Sequence, residues 1–254
     1  MNSSNPNGFI ATTIEAKVAT ITFSHPASNS FPSTLLADLT VALNLLSENE
    51  SVSVIVLKSN GTTFCAGASF DELLSITNFE DGKTFFSGFA NVINAMRMCK
   101  KIIIGRVQGK AVGGGVGLAA ACDYVFATEN AAIKLSELAI GIGPFVIEPA
   151  VSRRIGKTAM SQLSLSPTAW KTAKWAFENQ LYSEIFDSEE ALDLALNIFT
   201  ANLSSYNPEA LLEMKAVLWE NTAHWNTLLY DRAAISGKLV ISDFTKKALS
   251  AFKK

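Results

Sequence analysis

The period of the hydrophobic positions changes along this chain, and the changes mark its elements. Residues 9–24 alternate in two short stretches, Phe9 to Glu15 and Val18 to Phe23, around Ala16-Lys17, which predicts a β-hairpin. His25-Pro26-Ala27-Ser28-Asn29-Ser30 follows as a loop, with His25 as a turn residue. From Ser33 the spacing becomes helical, with Leu35, Leu36, Leu39, Leu43 and Leu46 three or four apart on one face. Val52 to Leu57 is a β-branched run read as a buried strand, ended by Ser59-Asn60-Gly61. A small-residue turn, Phe64-Cys65-Ala66-Gly67-Ala68-Ser69-Phe70, leads into a helix, and a longer helix is predicted from about 79 to 98.

Ile102 to Val107 reads as a third strand and runs into the densest glycine stretch of the chain, Val112-Gly113-Gly114-Gly115-Val116-Gly117. The Ala-rich segment after it has good helix propensity, so the order is strand, glycine turn, helix start. Glycines there let a ligand approach the unpaired N–H groups of the helix terminus. Close packing against a neighbouring element is the alternative reading. Tyr124 to Ala127 and Ala132 to Leu135 predict two further short strands. Strands separated by helices imply crossovers and a mainly parallel sheet. After Glu137 comes an apolar loop, Leu138 to Phe145. Beyond it the pattern reads as helix at about 145–155, 157–163, 167–177, 188–204, 207–219 and 226–252, with Asp187 as an N-cap.

Composition narrows the function classes. The chain has 254 residues, 48% hydrophobic and 17% charged, an ordinary globular composition, and a formal net charge of -2. That charge argues against nucleic acid or an anionic membrane as the main partner. Cys65, Cys99 and Cys122 fit neither a metal-ligand spacing nor a secreted disulfide framework, and are expected to be buried thiols. Met1 to Pro6 shows no secretory pattern, so a soluble, cytoplasmic protein is expected.

Several motifs fail on inspection. Gly113 and Gly115 suit a dinucleotide fingerprint, but position 118 is Leu. Ile155-Gly156-Lys157-Thr158 resembles the end of a P-loop, yet position 151 is Val. There is no G-x-S-x-G elbow. With only His25 and His224, a histidine triad or histidine metal site is not expected. Backbone N–H groups and carboxylates remain as the available chemistry.

The turns at Phe64-Cys65-Ala66-Gly67-Ala68 and Val112-Gly113-Gly114-Gly115 each open a helix. Taken with the first hairpin, the Pro26–Asn29 loop, Cys122-Asp123-Tyr124, Glu137, Gly141 and Asn207-Pro208-Glu209-Ala210, this ordered set resembles the enoyl-CoA hydratase/isomerase (crotonase) superfamily over nearly the whole chain. The resemblance implies an α/β crotonase-like (ββα)n spiral core with mainly parallel sheets and an all-helical C-terminal region. It divides the chain into a core carrying the active site, residues 1–195, and a helical region for trimerisation, residues 196–254. A homotrimer or dimer of trimers is expected.

The resemblance also implies an oxyanion hole from the N–H groups of Ala68 and Gly114, holding the thioester carbonyl of an acyl-CoA. Such preorganised donors stabilise the enolate charge, and losing one costs about 3–4 kcal/mol. Ala27, Ala66, Ser69, Phe70, Val112, Gly113, Gly117, Ser136, Pro144 and Phe145 are the expected substrate-binding residues. Coenzyme A enters as part of the substrate, with no separate cofactor and no metal. Hydratases of the family use two glutamates; the place of the first is Gly117 here, and the second is Glu137. A Glu in an apolar loop has a raised pKa suited to proton transfer. One carboxylate suffices to move a double bond, and Δ3,Δ2-enoyl-CoA isomerases are similar in having one glutamate followed by a Pro-Phe pair like Pro144-Phe145. The expectation is therefore an isomerase, ahead of an enoyl-CoA or methylglutaconyl-type hydratase and of a non-catalytic acyl-CoA-binding protein. Glu148 is the candidate substitute acid, and Arg106, Lys110 or the C-terminal lysines are candidates for the CoA phosphates, since Thr62 replaces a common basic residue.

Overall fold

The computed structural model describes residues 7–252. The hairpin forms as β1 (Phe9–Glu15) and β2 (Val18–Ser24), with Ala16 and Lys17 at positive φ in its two-residue turn. Helix α1 (Ser33–Glu48) buries Leu35, Leu36, Leu39, Leu43 and Leu46. Each such fully buried leucine contributes about 1.5–3 kcal/mol.

From here the chain winds as a spiral that alternates between two sheets. β3 (Val54–Ser59), β5 (Ile102–Val107) and β7 (Tyr124–Thr128) join β1 and β2 in a six-stranded sheet whose far edge is β9 (Glu184–Phe186), of order β1-β2-β3-β5-β7-β9 and parallel after the first hairpin. After each of these three strands a short strand crosses to a second, three-stranded parallel sheet: β4 (Thr63–Cys65), β6 (Lys110–Val112) and β8 (Ile133–Lys134). Helices then carry the chain back: α2 (Phe70–Ser75) and α3 (Phe79–Met98), α4 (Gly114–Ala121), and α5 (Glu148–Ser164) with α6 (Ala173–Glu178). The large sheet is buried on both faces. β5 is buried at every position, with α1 and α3 in the cluster on one side and α7 (Glu189–Ser205) on the other.

The carboxyl ends of β4, β6 and β8 lead directly to Ala66, Gly113 and Ser136. Each turn of the spiral thus delivers one loop to the same end of the small sheet.

The structure corrects several local expectations. β4 and β6 were not expected as strands, and β9 (Glu184–Phe186) is an unpredicted strand in the gap between the helices expected at 167–177 and 188–204. The break expected between the helices at 145–155 and 157–163 is present at Gly156, with φ 71 and ψ 165, inside α5, but the first helical residue is Glu148 rather than 145. The helix expected at 167–177 is confined to α6, and that at 226–252 divides into α9 (Trp225–Val240) and α10 (Asp243–Phe252). Ser188, not Asp187, caps α7, accepting from Ala191 N at 3.2 Å. The expected division after residue 195 falls within α7. Among the described residues no helix is long and apolar enough to cross a membrane.

Buried hydrogen bonds fasten the C-terminal helices to the spiral. Lys215 of α8 (Pro208–Leu218) donates to Asp123 Oδ2 at 2.6 Å, and Trp219 Nε1 donates to Oδ1 at 2.6 Å. Ile103 N donates to the same carboxylate at 2.7 Å. Helix α9 lies on α3 through paired glycines: a Cβ on Gly82 would stand 2.9 Å from Gly237 Cα.

Candidate active site

The three loops at the end of the small sheet enclose an apolar cavity of about 550 Å³ counting its open mouth. In the first loop, nearly every amide is engaged. Ala66 N donates to Ser28 O at 3.1 Å, Gly67 N to Cys65 Sγ at 3.3 Å, and Ser69 N to Phe31 O at 3.0 Å. Phe31 N returns a bond to Gly67 O at 2.8 Å, so the segment is pinned on both sides. The exception is Ala68, whose N–H has no acceptor among the described residues. Gly67 holds φ 90, and a side chain there would meet Val112 O at 2.9 Å, so only glycine lets this loop lie against β6.

The second loop repeats the arrangement. Gly113 N donates to Lys134 O at 2.9 Å, and Gly113 O accepts from Val116 N and Gly117 N as α4 begins. That leaves the Gly114 N–H at the first position of the helix, where no intrahelical acceptor exists. Gly113 has φ 52 and ψ -119, a conformation open to glycine. A Cβ on Gly113 would lie 2.8 Å from Glu137 Oε1, and one on Gly114 would strike the Phe89 ring. The glycines therefore admit a carboxylate on one side and an aromatic wall on the other.

The third loop supplies that carboxylate. Glu137 opens a single 3-10 turn, Glu137–Ile140, ended by Gly141 in the left-handed conformation with φ 84. A Cβ on Gly141 would meet Phe244 Cδ1 and Thr245 Oγ1 at 2.5 Å, so α10 covers the turn. Glu137 lines the cavity, and its buried Oε2 has no hydrogen-bond partner among the described residues. Burial pushes its pKa up to about 7, and its own backbone N–H opposes the shift less strongly. Among the described residues it is the only acidic or basic side chain in the lining.

Of the residues picked out from sequence, Ala66, Ala68, Phe70, Val112, Gly113, Gly114, Ser136, Glu137, Pro144 and Phe145 all line this cavity. Three do not. Ala27 sits on an exposed turn, donating to His25 Nδ1 at 3.2 Å. Ser69 caps α2 by accepting from Glu72 N. Gly117 is buried behind the wall, where a Cβ would stand 2.7 Å from Ile147 Cβ. Ile147 fills that place and itself lines the cavity.

Glu148 is not in the lining either. It accepts from Ser152 Oγ at 2.6 Å and pairs with Lys157. Burial raises its pKa, but the bonds from Lys157 and Ser152 outweigh this and hold it below the usual carboxylate value. Among the groups considered for phosphate contacts, Arg106 is committed elsewhere, bound to Asp193 at 2.5 and 2.8 Å and to Glu189 at 3.0 Å. Lys110 lies over the Trp170 ring, 5.0 Å from its centroid. Lys253 and Lys254 fall outside the described residues.

Sequence reasoning missed the far wall. Phe86 and Phe89 come from α3, Ile140, Ile142, Val146 and Ile147 from the loop after Glu137 and the start of α5, and Ser236 from α9. The phenylalanines were visible only as a helical apolar stripe, and Ser236 carried no signal at all.

The chain is similar to known proteins. A family model described as enoyl-CoA hydratase/isomerase matches residues 13–252. A probable enoyl-CoA hydratase of Rhizobium meliloti is 30% identical over 207 residues, 80% of this chain and 78% of that protein. A peroxisomal Delta(3,5)-Delta(2,4)-dienoyl-CoA isomerase of Arabidopsis thaliana is 26% identical, over 83% of this chain and 80% of that protein. The crystal structure of enoyl-CoA hydratase from Bacillus halodurans superposes with a TM-score of 0.88, at 21% identity, over 95% of this chain and 99% of that one, which shows the shared fold. The chain belongs to the enoyl-CoA hydratase/isomerase family and is an enzyme of that family.

Proposed function

We propose that this enzyme moves the double bond of a 3-enoyl-CoA into conjugation with the thioester, with Glu137 as its only acid and base. The thioester oxygen accepts from the N–H groups of Ala68 and Gly114. Ionised Glu137 removes a proton from C2. The electron pair spreads over the thioester and the C3–C4 double bond, and the charge on the oxygen is met by the two donors. Protonated Glu137 then returns the proton at C4, leaving a 2-enoyl-CoA and the carboxylate restored. A carboxyl with a pKa near 7 is matched to both halves of this cycle.

The observation that carries the reading is the apolar lining around Glu137, which holds no second carboxylate among the described residues. Hydration needs a water held and deprotonated while the α-carbon gains a proton. Here the position for a second carboxylate is Gly117, and Ile147 fills the space beside it. The relatives named as hydratases favour water addition instead, but Glu148, the candidate substitute acid, is engaged by Ser152 and Lys157 outside the cavity. Coenzyme A belongs to the substrate, and the helical C-terminal region is proposed to serve assembly into trimers.

The test is to incubate purified protein separately with 3-enoyl-CoA and 2-enoyl-CoA. Absorbance of a conjugated thioester growing from the first supports the isomerase. Water addition to the second, without isomerisation of the first, refutes it.

A further inference from the structure

The cavity contains a buried polar atom that the proton transfer does not use. Ser236 of α9 lines it, is 1% exposed, and its Oγ has no hydrogen-bond partner among the described residues. A hydroxyl on a helix ordinarily satisfies itself on the carbonyl four residues back. Thr40, Ser164, Thr200 and Ser250 of this chain each do so, at 2.8 to 2.9 Å. Ser236 does not. Close packing of α9 on α3 at Gly82 and Gly237 explains a small residue here. It does not explain a polar one, because alanine fits the same space without stranding a hydroxyl.

The rest of the wall sharpens the point. Phe86, Phe89, Ile140, Ile142 and Val146 share the lining with Ser236 and offer it nothing polar. Gly237 meets Gly82 while Gly114 meets Phe89, so the two contacts are separated by seven residues of α3, about 10 Å of helix. Ser236 therefore belongs to the part of the cavity removed from the Ala68 and Gly114 amides.

We propose that Ser236 selects an oxygenated acyl chain, donating its hydroxyl to a neutral hydroxyl or carbonyl oxygen carried on the chain away from the thioester. A chain ending in a carboxylate does not fit the lining, since among the described residues no lysine or arginine is there to offset a second negative charge. The inference rests on the reading of the cavity as an acyl-CoA site.

Titration calorimetry on the full chain with saturated acyl-CoA probes tests it, because saturated chains bind without turnover whatever the reaction. Two probes of equal length are compared, one plain and one bearing a keto or hydroxyl group towards its end. Wild type is expected to bind the oxygenated chain about tenfold more tightly, the effect of one hydrogen bond to an otherwise unpaired group. Ser236→Ala is expected to bring the ratio to about one. With the corresponding 3-enoyl substrates the preference should lie in KM rather than kcat, as it does for a contact remote from the reacting carbons. Equal affinity in wild type, or a preference that survives Ser236→Ala, overturns the proposal, and the wild-type ratio decides alone if the variant does not fold. Failure of both probes to bind refutes the acyl-CoA reading itself.

Discussion

Ile147 and Gly117 are complementary: the branched side chain of one occupies the space that any side chain on the other requires, with a Gly117 Cβ falling 2.7 Å from Ile147 Cβ. The two positions therefore change together or not at all. Gly117→Glu alone is expected to destabilise the fold by about 3 kcal/mol or more, through overpacking and burial of a charge. Gly117→Glu with Ile147→Ala provides room for the carboxylate across from Glu137 and is expected to recover most of that loss. The double variant should also acquire hydration of 2-enoyl-CoA, measured as loss of conjugated-thioester absorbance. Stability no better than that of the single variant would contradict the steric argument.

Glu137 links activity to stability through one ionisation. Its pKa is raised from the ordinary value of 4.5 to about 7 by burial, so the protonated form is favoured in the folded state. A raised carboxyl contributes stability that is fully present below the unfolded pKa and is lost as pH rises through the folded one. Over that window the loss amounts to about 3 kcal/mol. Glu137→Gln removes the dependence. Denaturant titrations should find the variant close to wild type near pH 4.5 and about 3 kcal/mol more stable above pH 7. A constant difference across that range refutes the assignment.

The same carboxyl sets the acid limb of catalysis. The base form must be present in free enzyme, so kcat/KM for a 3-enoyl-CoA should rise about tenfold per pH unit below 7 and level off above it. Glu137→Gln should lose about a thousandfold or more in kcat at every pH. Activity surviving that change means another group is the base.

A backbone donor is tested through the backbone. Replacing the Ala68 residue by its α-hydroxy acid exchanges the N–H for an ester oxygen and alters no side chain. Because this N–H has no partner among the described residues, stability should fall by no more than about 1 kcal/mol, from the weaker ester carbonyl at Gly67 that accepts from Phe31 N, while kcat should fall about a hundred- to a thousandfold. A loss of stability with kcat retained would make Ala68 a structural residue only.

How much of this was readable from sequence follows from the range of the interactions. The hairpin and α1 rest on local periodicity and a turn at Ala16-Lys17, so their patterns were plain. Glu137, Ala68 and Gly114 were singled out through the family resemblance that the two small-residue turns carry, and the fold brings all three to one cavity. β4 and β6 have three residues each, which is too short for any period; they exist because they pair across the spiral, whereas β8, shorter still, was marked by the Ala132–Leu135 run. β9 is only partly buried and owes its conformation to β7. Ile147 lies in an unbroken apolar run, and nothing local connects it with a glycine thirty residues earlier. The same holds for Ser236, whose significance is the absence of a bond.

Lys215 is the extreme case, a lysine on a helix rich in exposed residues that is nonetheless 3% exposed. Its ammonium and Asp123 share a buried pair in which the carboxylate also accepts from Ile103 N and Trp219 Nε1. The Asp123 oxygens thus tie β5, the end of α4 and the helical region at one point. Removing the cation strands a buried carboxylate, so Lys215→Met should destabilise by about 3–5 kcal/mol. Lys215→Met with Asp123→Asn should cost less than the sum of the two single changes, because the second removes the charge the first leaves unpaired. Denaturant midpoints of the four proteins form the cycle. Strict additivity would mean that the pair holds the two regions together through packing alone, with the charges incidental to it.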